Sequence, residues 1–405
     1  MSTQADLAHL LRRATFGPFP GQVDALVAGG TAAAVTSLLS TPPSALPAPP
    51  AFDWPGLLPV EWWLRRARDP AAGLAEKMVW FWHGLLCTSQ DKINSWEWMW
   101  NQHLLFRQHA LGNFRTLLQA ITTDVAMLFY LDGNGSDASD PNENYSRELM
   151  ELFSLGIGNY TENDVKMGAK ALAGWDINWI NNTSYVNQYA KLTSPVPYLG
   201  RQVLTNTDVV NTVCDHAAMP AFITGKLYMF FHGVAPSAST TASLSNTFRS
   251  NNLEIAPVVS AILQDPLFFD GTRRMNRARG PFEWVTAAFS ALESTDFGWA
   301  QNVADNMGQT PFYPPNVAGW PTGTTWLSAA QAAFRADVGR GAPSLPAIKT
   351  AADPIAAALG QCSLYQVTTQ TQQAMTSALA GITDPDDRAR MALGLAVTAP
   401  EFALS

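Results

Sequence analysis

Charge is what this chain is short of: charged residues make up 14% of its 405, against about a quarter in ordinary soluble domains. The balance is acidic, with a net charge of −8. That argues against a nucleic-acid partner, because a phosphate backbone needs a clustered basic surface. The one basic cluster, Arg273, Arg274, Arg277 and Arg279, reads as a solvated or salt-bridged loop. Cysteine is scarce as well. Cys87, Cys214 and Cys362 lie too far apart for a disulfide framework or a CxxC metal knuckle. No apolar run reaches the roughly 18 residues of a membrane span, and the opening MSTQADLAHLLRRATFG holds no apolar signal region. The expectation is a soluble, cytoplasmic protein, exported only if a leader has been removed. Nucleophile and phosphate motifs are missing too: there is no GxSxG, no SxxK, no papain-like Cys setting, no GxxxxGK[ST], and no GxGxxG after a strand.

What is present is aromatic and helical. Fourteen Trp residues point to a compact, well-filled body. Apolar residues recur at spacings of three and four over 3–15, 20–28, 31–40, 60–88, 95–111, 114–131, 141–155 and 162–174, and again in nine stretches from about 208 to 398. The stretch 41–59 is Pro-rich and is expected to run extended across the body, anchored by Phe52, Trp54 and Leu57. Residues 176–207 are rich in Asn, Thr, Ser and Tyr, and are the one place where short strands are expected. The fold class is therefore all-α, a single large helical domain over 1–405 with at most a minor hairpin, and helix should exceed half the residues.

The polar centre falls on DPNENYSRELMELFSLGIGNYTEND, residues 140–164. Asp140 suits a helix cap, Pro141 the first helical position, Glu143 a capping-box carboxylate and Gly156 a stop. Asn144, Glu148 and Glu151 follow i, i+4, i+7 spacing with Arg147 beside them. Leu149, Met150, Leu152 and Phe153 fill the gaps, so the helix is expected to be buried. Buried carboxylates must be paired, hydrogen-bonded or protonated. Glu148 and Glu151 are thus either a structural network with Arg147, an acid/base pair, or part of a metal site. No ExxH accompanies them, as a helical two-metal site would require.

Other candidates are more isolated. His83, between Trp82 and Gly84 in an aromatic helix, is either a hydrogen-bonded core residue or a neutral base. His103 and His109, six apart, face different sides of a helix. His216 should open a helix and His232 should end it, where a cation suits the dipole. Asp132–Asp137 has a superficial calcium-loop look but lacks the closing Glu, and reads as a polar loop. In PPNVAGWP, Asn316 and Trp320 either line a pocket or sit on a rigid plug.

These blocks resemble a known family. PNENYSRELMELFSLGIGNYTENDV looks like the central motif of the bacterial family catalogued as domain of unknown function 1800. LAHLLRRATFGP (7–18), FWHGLLCTSQDKI (81–93), QHLLFRQHALGNFRTLLQAI (102–121) and AMLFYLDG (126–133) are similar to its earlier blocks. KALAGW (170–175), FITGKLYMFF (222–231), RGPFEWVTAAFSAL (279–292) and PPNVAGWPTGTTWLS (314–328) fit the later ones in order. The resemblance implies one α-helical domain and brings no settled reaction. Many members look exported and neighbour a companion family of exported proteins. Where members often read His-x-His-Phe, this chain has His83, Gly84, Leu85, Leu86, and where many read Glu-Leu-His it has Phe153. A metal or haem role resting on those second histidines loses its ligands here.

Three functions follow as expectations. The first is an enzyme doing acid/base chemistry on a small, largely apolar or aromatic substrate, with Glu148, Glu151 and His83 moving protons. Asn144, Arg147, Trp175, Asn316 and Trp320 would then contact substrate. The second is a non-catalytic binding or assembly protein whose polar helix is structural. The third is a metal- or haem-dependent oxidoreductase. Cofactor, oligomeric state and partner are open at this point.

Overall fold

The computed structural model describes residues 3–40 and 58–405, with the backbone alone for Leu58. The extended course expected for 41–59 therefore falls almost wholly outside the described residues. Helix takes 59% of the chain, in 22 α-helices among the described residues. The strands form two antiparallel two-stranded hairpins. β1 (Trp175–Asn178) pairs with β2 (Thr183–Val186), and β3 (Val196–Tyr198) with β4 (Arg201–Val203). All but Trp175 of these strand residues lie within 176–207, where the side-chain alternation places them.

Several long periodic stretches divide where local chemistry competes with the helix. The 60–88 stretch becomes Leu58–Ala67 and Gly73–Leu85. At the break, Asp69 accepts the Ala71 N–H at 2.9 Å and Pro70 supplies no donor. Within 114–131, Asp124 ends one helix and caps the next, accepting the Met127 N–H at 3.0 Å. His216 does not open a helix. It caps the carboxyl end of Asn206–Asp215, and the helix Met219–His232 begins three residues later with Pro220 in its first turn.

One core of buried apolar residues runs from Leu7 to Phe402. Trp63, Trp82 and Trp284 are fully enclosed in it. Each such ring removes roughly 150–250 Å² from water, a contribution of about 4–6 kcal/mol apiece before entropy. Trp82 keeps its indole N–H satisfied by the Ala110 carbonyl at 2.9 Å. The helices Ala329–Arg340 and Pro385–Thr398 approach so closely that a Cβ on Gly339 would sit 2.5 Å from Thr398 Cγ2.

Two ionic networks cross this interior. Glu283 pairs with Lys77 and Arg277, both carboxylate and ammonium being buried. Glu76 receives Arg107 in a fork and Arg66 at 3.4 Å, while Arg107 also meets His103 Nε2 at 2.9 Å. Burial lowers Lys77 to about 8, with Glu283 opposing the shift, and the two cations hold the Glu283 carboxyl far below its usual range. The basic cluster, expected to be a solvated or salt-bridged loop, is salt-bridged in part and buried in part: Arg277 joins Glu283, Arg274 pairs with Asp6, and Arg279 is 2% exposed.

Candidate functional site

The polar helix runs over Asn144–Glu151, shorter than the 141–155 its pattern indicates. Asp140 does not cap it and Pro141 is not its first residue. The helix instead enters through Glu143, without a side-chain cap, after Asn142 accepts the Asn144 N–H at 2.8 Å. Asp140 is drawn away into a bridge with Asp137. At the other end Gly156, at φ +81°, lets its N–H return to the Met150 carbonyl at 2.9 Å.

The helix is amphipathic rather than apolar on most sides. Tyr145, Ser146, Leu149 and Met150 face inward. Tyr145 donates to Thr122 Oγ1 and Ser146 to the Val165 carbonyl, each at 2.8 Å. Gly168 permits this contact, since a Cβ there would lie 2.5 Å from Ser146 Oγ. The outer half carries Asn144, Arg147, Glu148 and Glu151, all half-buried.

Arg147 does not neutralise the carboxylate beside it. Its guanidinium grips Glu162 at 2.7 and 2.8 Å and reaches Glu143 at 3.5 Å. Glu151 accepts the phenol of Tyr160 at 2.5 Å. Glu148 is left with Oε2 shielded from solvent and without a hydrogen-bond partner among the described residues. Burial raises its carboxyl above the usual 4.5, the neighbouring Glu151 adds to the rise, and Arg147 opposes it. Tyr160 rises to about 12, through burial and then its bond to Glu151.

A second aromatic hydroxyl stands on the other side. Burial raises Tyr130 to about 12, with Cys87, Asp91 and Glu148 contributing in that order. The Tyr130 carbonyl takes Lys92 Nζ at 2.7 Å, and Lys92 also binds Asp132 Oδ1 at 2.7 Å. Asn144 leans toward Asp132 at 3.5 Å, which leaves its amide weakly engaged. The spacing on the helix marked Asn144, Glu148 and Glu151. It gave no sign of Tyr160, Tyr130, Lys92 or Asp132, which come from loops and from two other helices. The only available signal was a Tyr nine residues beyond Glu151, just before the Thr161 cap.

The remaining candidates lie elsewhere and are not gathered in one place. His83 is 2% exposed, and its Nε2 accepts the Phe312 N–H at 3.1 Å. Burial drops its pKa to about 3, and Trp63, Phe312 and Trp320 crowd the ring. It is a neutral core residue, and its ring contacts are with that aromatic cluster rather than with Glu148. Trp320 stacks on Trp80 at 4.9 Å, and a Cβ on Gly319 would sit 2.5 Å from the Gly84 carbonyl. The Pro-rich loop is therefore a plug against the helix Gly73–Leu85. Asn316 is exposed and spends its side chain on the Ala318 N–H at 2.9 Å. Trp175 is half-buried in β1, where its carbonyl accepts the Gly135 N–H at 3.0 Å.

The order of the blocks agrees with a family model described as "Protein of unknown function (DUF1800)", which matches residues 9–404. The chain belongs to the DUF1800 family. No curated protein and no solved structure matches it. Of the positions where DUF1800 members often carry a second histidine, Phe153 is fully buried here. Among the described residues no group of three or more His, Cys, Asp or Glu is placed to hold a metal ion, and no helix is long and apolar enough to cross a membrane.

Proposed function

We propose that this DUF1800 protein is an enzyme doing acid/base chemistry on a small substrate with an apolar or aromatic body, with Glu148 carrying the proton. The observation behind this reading is the shielded, unpartnered Oε2 of Glu148 beside a second carboxylate. A structural carboxylate would be paired, as Glu76 and Glu283 are. A raised carboxyl that is still half-exposed keeps its proton to higher pH than an ordinary glutamate and can release it to a reacting atom. Glu151, tied to Tyr160, is the fixed neighbour whose charge favours the protonated form of Glu148. Arg147, locked to Glu162, braces the helix, and Asn144 has amide capacity left for a polar group of the substrate. Tyr130 and Tyr160 would flank the substrate body. His83 drops out as a proton carrier because its one basic nitrogen is committed in the core.

The test does not require the substrate in advance. Purified wild-type protein and Glu148→Gln are incubated with a metabolite extract and compared by mass spectrometry. A conversion made by the wild type and lost in Glu148→Gln supports the reading. Conversions that survive the substitution unchanged would remove Glu148 from the chemistry.

The assembly reading has its own support in the exposed apolar side chains around β1 and β2. Trp179 is 59% exposed, Ile180 95% and Tyr189 99%, and clustered exposed apolar groups mark interaction surfaces. Ile180→Asp should abolish self-association or partner capture if that surface is used.

A further inference from the structure

The amino-terminal helix Gln4–Ala14 ends in two adjacent arginines that the fold treats differently. Arg13 is occupied at both Nη atoms, although its Nε is buried without a partner. Its guanidinium donates to the carbonyls of Phe231, Arg273 and Ser405 and to Asn276 Oδ1. Arg12, 5% exposed, donates through Nη2 to the Ser363 carbonyl, while its Nε is buried without a partner. Arg279, 2% exposed, makes no hydrogen bond or ion pair through its side chain among the described residues. It rests over the Phe402 ring at 4.9 Å, with Nη1 buried and unpartnered. Ser363, 1% exposed and held at φ +53°, has an unpartnered hydroxyl; it faces the Tyr365 phenol without closing a hydrogen bond of normal geometry. The charge of Arg12 acts against that of Arg279, and Cys362 lies in reach of both.

This grouping has cations but no counter-charge. Neither Arg12 nor Arg279 has a carboxylate partner among the described residues. The buried acid whose charge reaches Arg279 is Glu283, already taken by Lys77 and Arg277. An ion removed from water without compensation is strongly disfavoured. Two such guanidinia within electrostatic reach of one another suit a site whose occupant supplies the negative charge. The free groups, Arg12 Nε, Arg279 Nη1 and Ser363 Oγ–H, are all donors, so the occupant offers acceptors. They come from three separate segments, which suits oxygens directed several ways, and enclosure limits the occupant's size. Guanidinium forks match phosphate-like oxygens in geometry as well as charge. We propose that Arg12, Arg279 and Ser363 form a buried site for a small phosphate-type oxyanion, separate from the Glu148 site.

The test uses the full chain, dialysed into chloride buffer. Part of the sample is denatured and assayed for released phosphate and sulfate. The rest is titrated with inorganic phosphate, sulfate or acetate at constant ionic strength, with thermal unfolding as the readout. We expect either about one released anion per chain or a saturable rise in Tm of several degrees with phosphate or sulfate, and no rise with acetate. Arg279→Met should lose that response and, having shed an unpaired buried charge, melt no lower than wild type in chloride. Should Arg279→Met fail to fold, Ser363→Ala keeps both cations and should weaken the response several-fold. No released anion together with no saturable rise would overturn the site. So would an Arg279→Met protein that responds like wild type.

Discussion

Glu148→Gln separates a working carboxylate from a structural one by the sign of its effect on stability. If Glu148 were half of a buried pair with Arg147, a neutral amide would strand the cation at a cost of roughly 3–5 kcal/mol. Arg147 is held by Glu162 and Glu143 instead, so that cost should not appear. What the substitution removes is a carboxylate with a shielded, unpartnered oxygen next to another carboxylate. A neutral amide of the same shape relieves both the desolvation of that charge and its repulsion by Glu151. With the side chain half-exposed the discounted gain is on the order of 0.5–1 kcal/mol at pH 7. The pH dependence fixes the cause. A carboxyl raised in the folded state costs nothing below its ordinary value of 4.5. Above that the unfolded chain ionises first, and wild-type stability falls until the folded group ionises too. Urea unfolding of both proteins from pH 4 to pH 8 should therefore give matching stabilities at the acid end, with the variant ahead at neutral pH. A variant less stable than wild type by more than about 1 kcal/mol at every pH would refute the reasoning.

Three further outcomes follow from the same structure. Glu283→Gln should cost roughly 3–5 kcal/mol in urea unfolding, because Lys77 and Arg277 are left buried without their shared carboxylate; a loss below about 1 kcal/mol would show that the pair is solvated. Burial raises Asp124 to about 6 against the donations of Met127 N–H and Gln102, so stability should decline as pH rises from about 4 to about 6 and then level. Asp124→Asn should flatten that slope, with a gain of roughly 1–2 kcal/mol at pH 7 after allowance for the partial exposure of the side chain. Gly319→Ala, at φ +85° and facing the Gly84 carbonyl, should cost roughly 1–3 kcal/mol and change tryptophan fluorescence by unstacking Trp320 from Trp80; an unchanged emission spectrum would argue against the plug.

The helical class and the hairpin region were legible because both rest on the period of apolar side chains, which burial enforces. Breaks inside periodic stretches were not, because a single side chain decides them: Asp69 and Asp124 end one helix and start another without disturbing the pattern around them. The candidate helix was found by spacing, yet its charge partners were misassigned. Adjacency suggested Arg147 for Glu148, whereas Arg147 turns to Glu162, fifteen residues on, and Tyr160 reaches back to Glu151. Arg279 was misjudged for a related reason. In sequence it belongs to a basic loop, but the pairing of Ala278 with Leu404 pulls it under Phe402. Local pattern carries no information about such distant contacts.

The contacts of Arg12 and Arg13 also bear on the order in which the protein can assemble. Their partners, Ser363 and Ser405, stand 351 and 392 positions further along the chain. The first helix can form early during synthesis, but Arg12 meets its carbonyl acceptor, and Arg13 the last of its four acceptors, only when almost all of the chain has been made. Closing loops of that length precedes any reward from the contacts they bring, which slows folding. Until then the polar end of the helix lacks part of its acceptors, in a state open to proteases and to chaperones that hold unfinished chains.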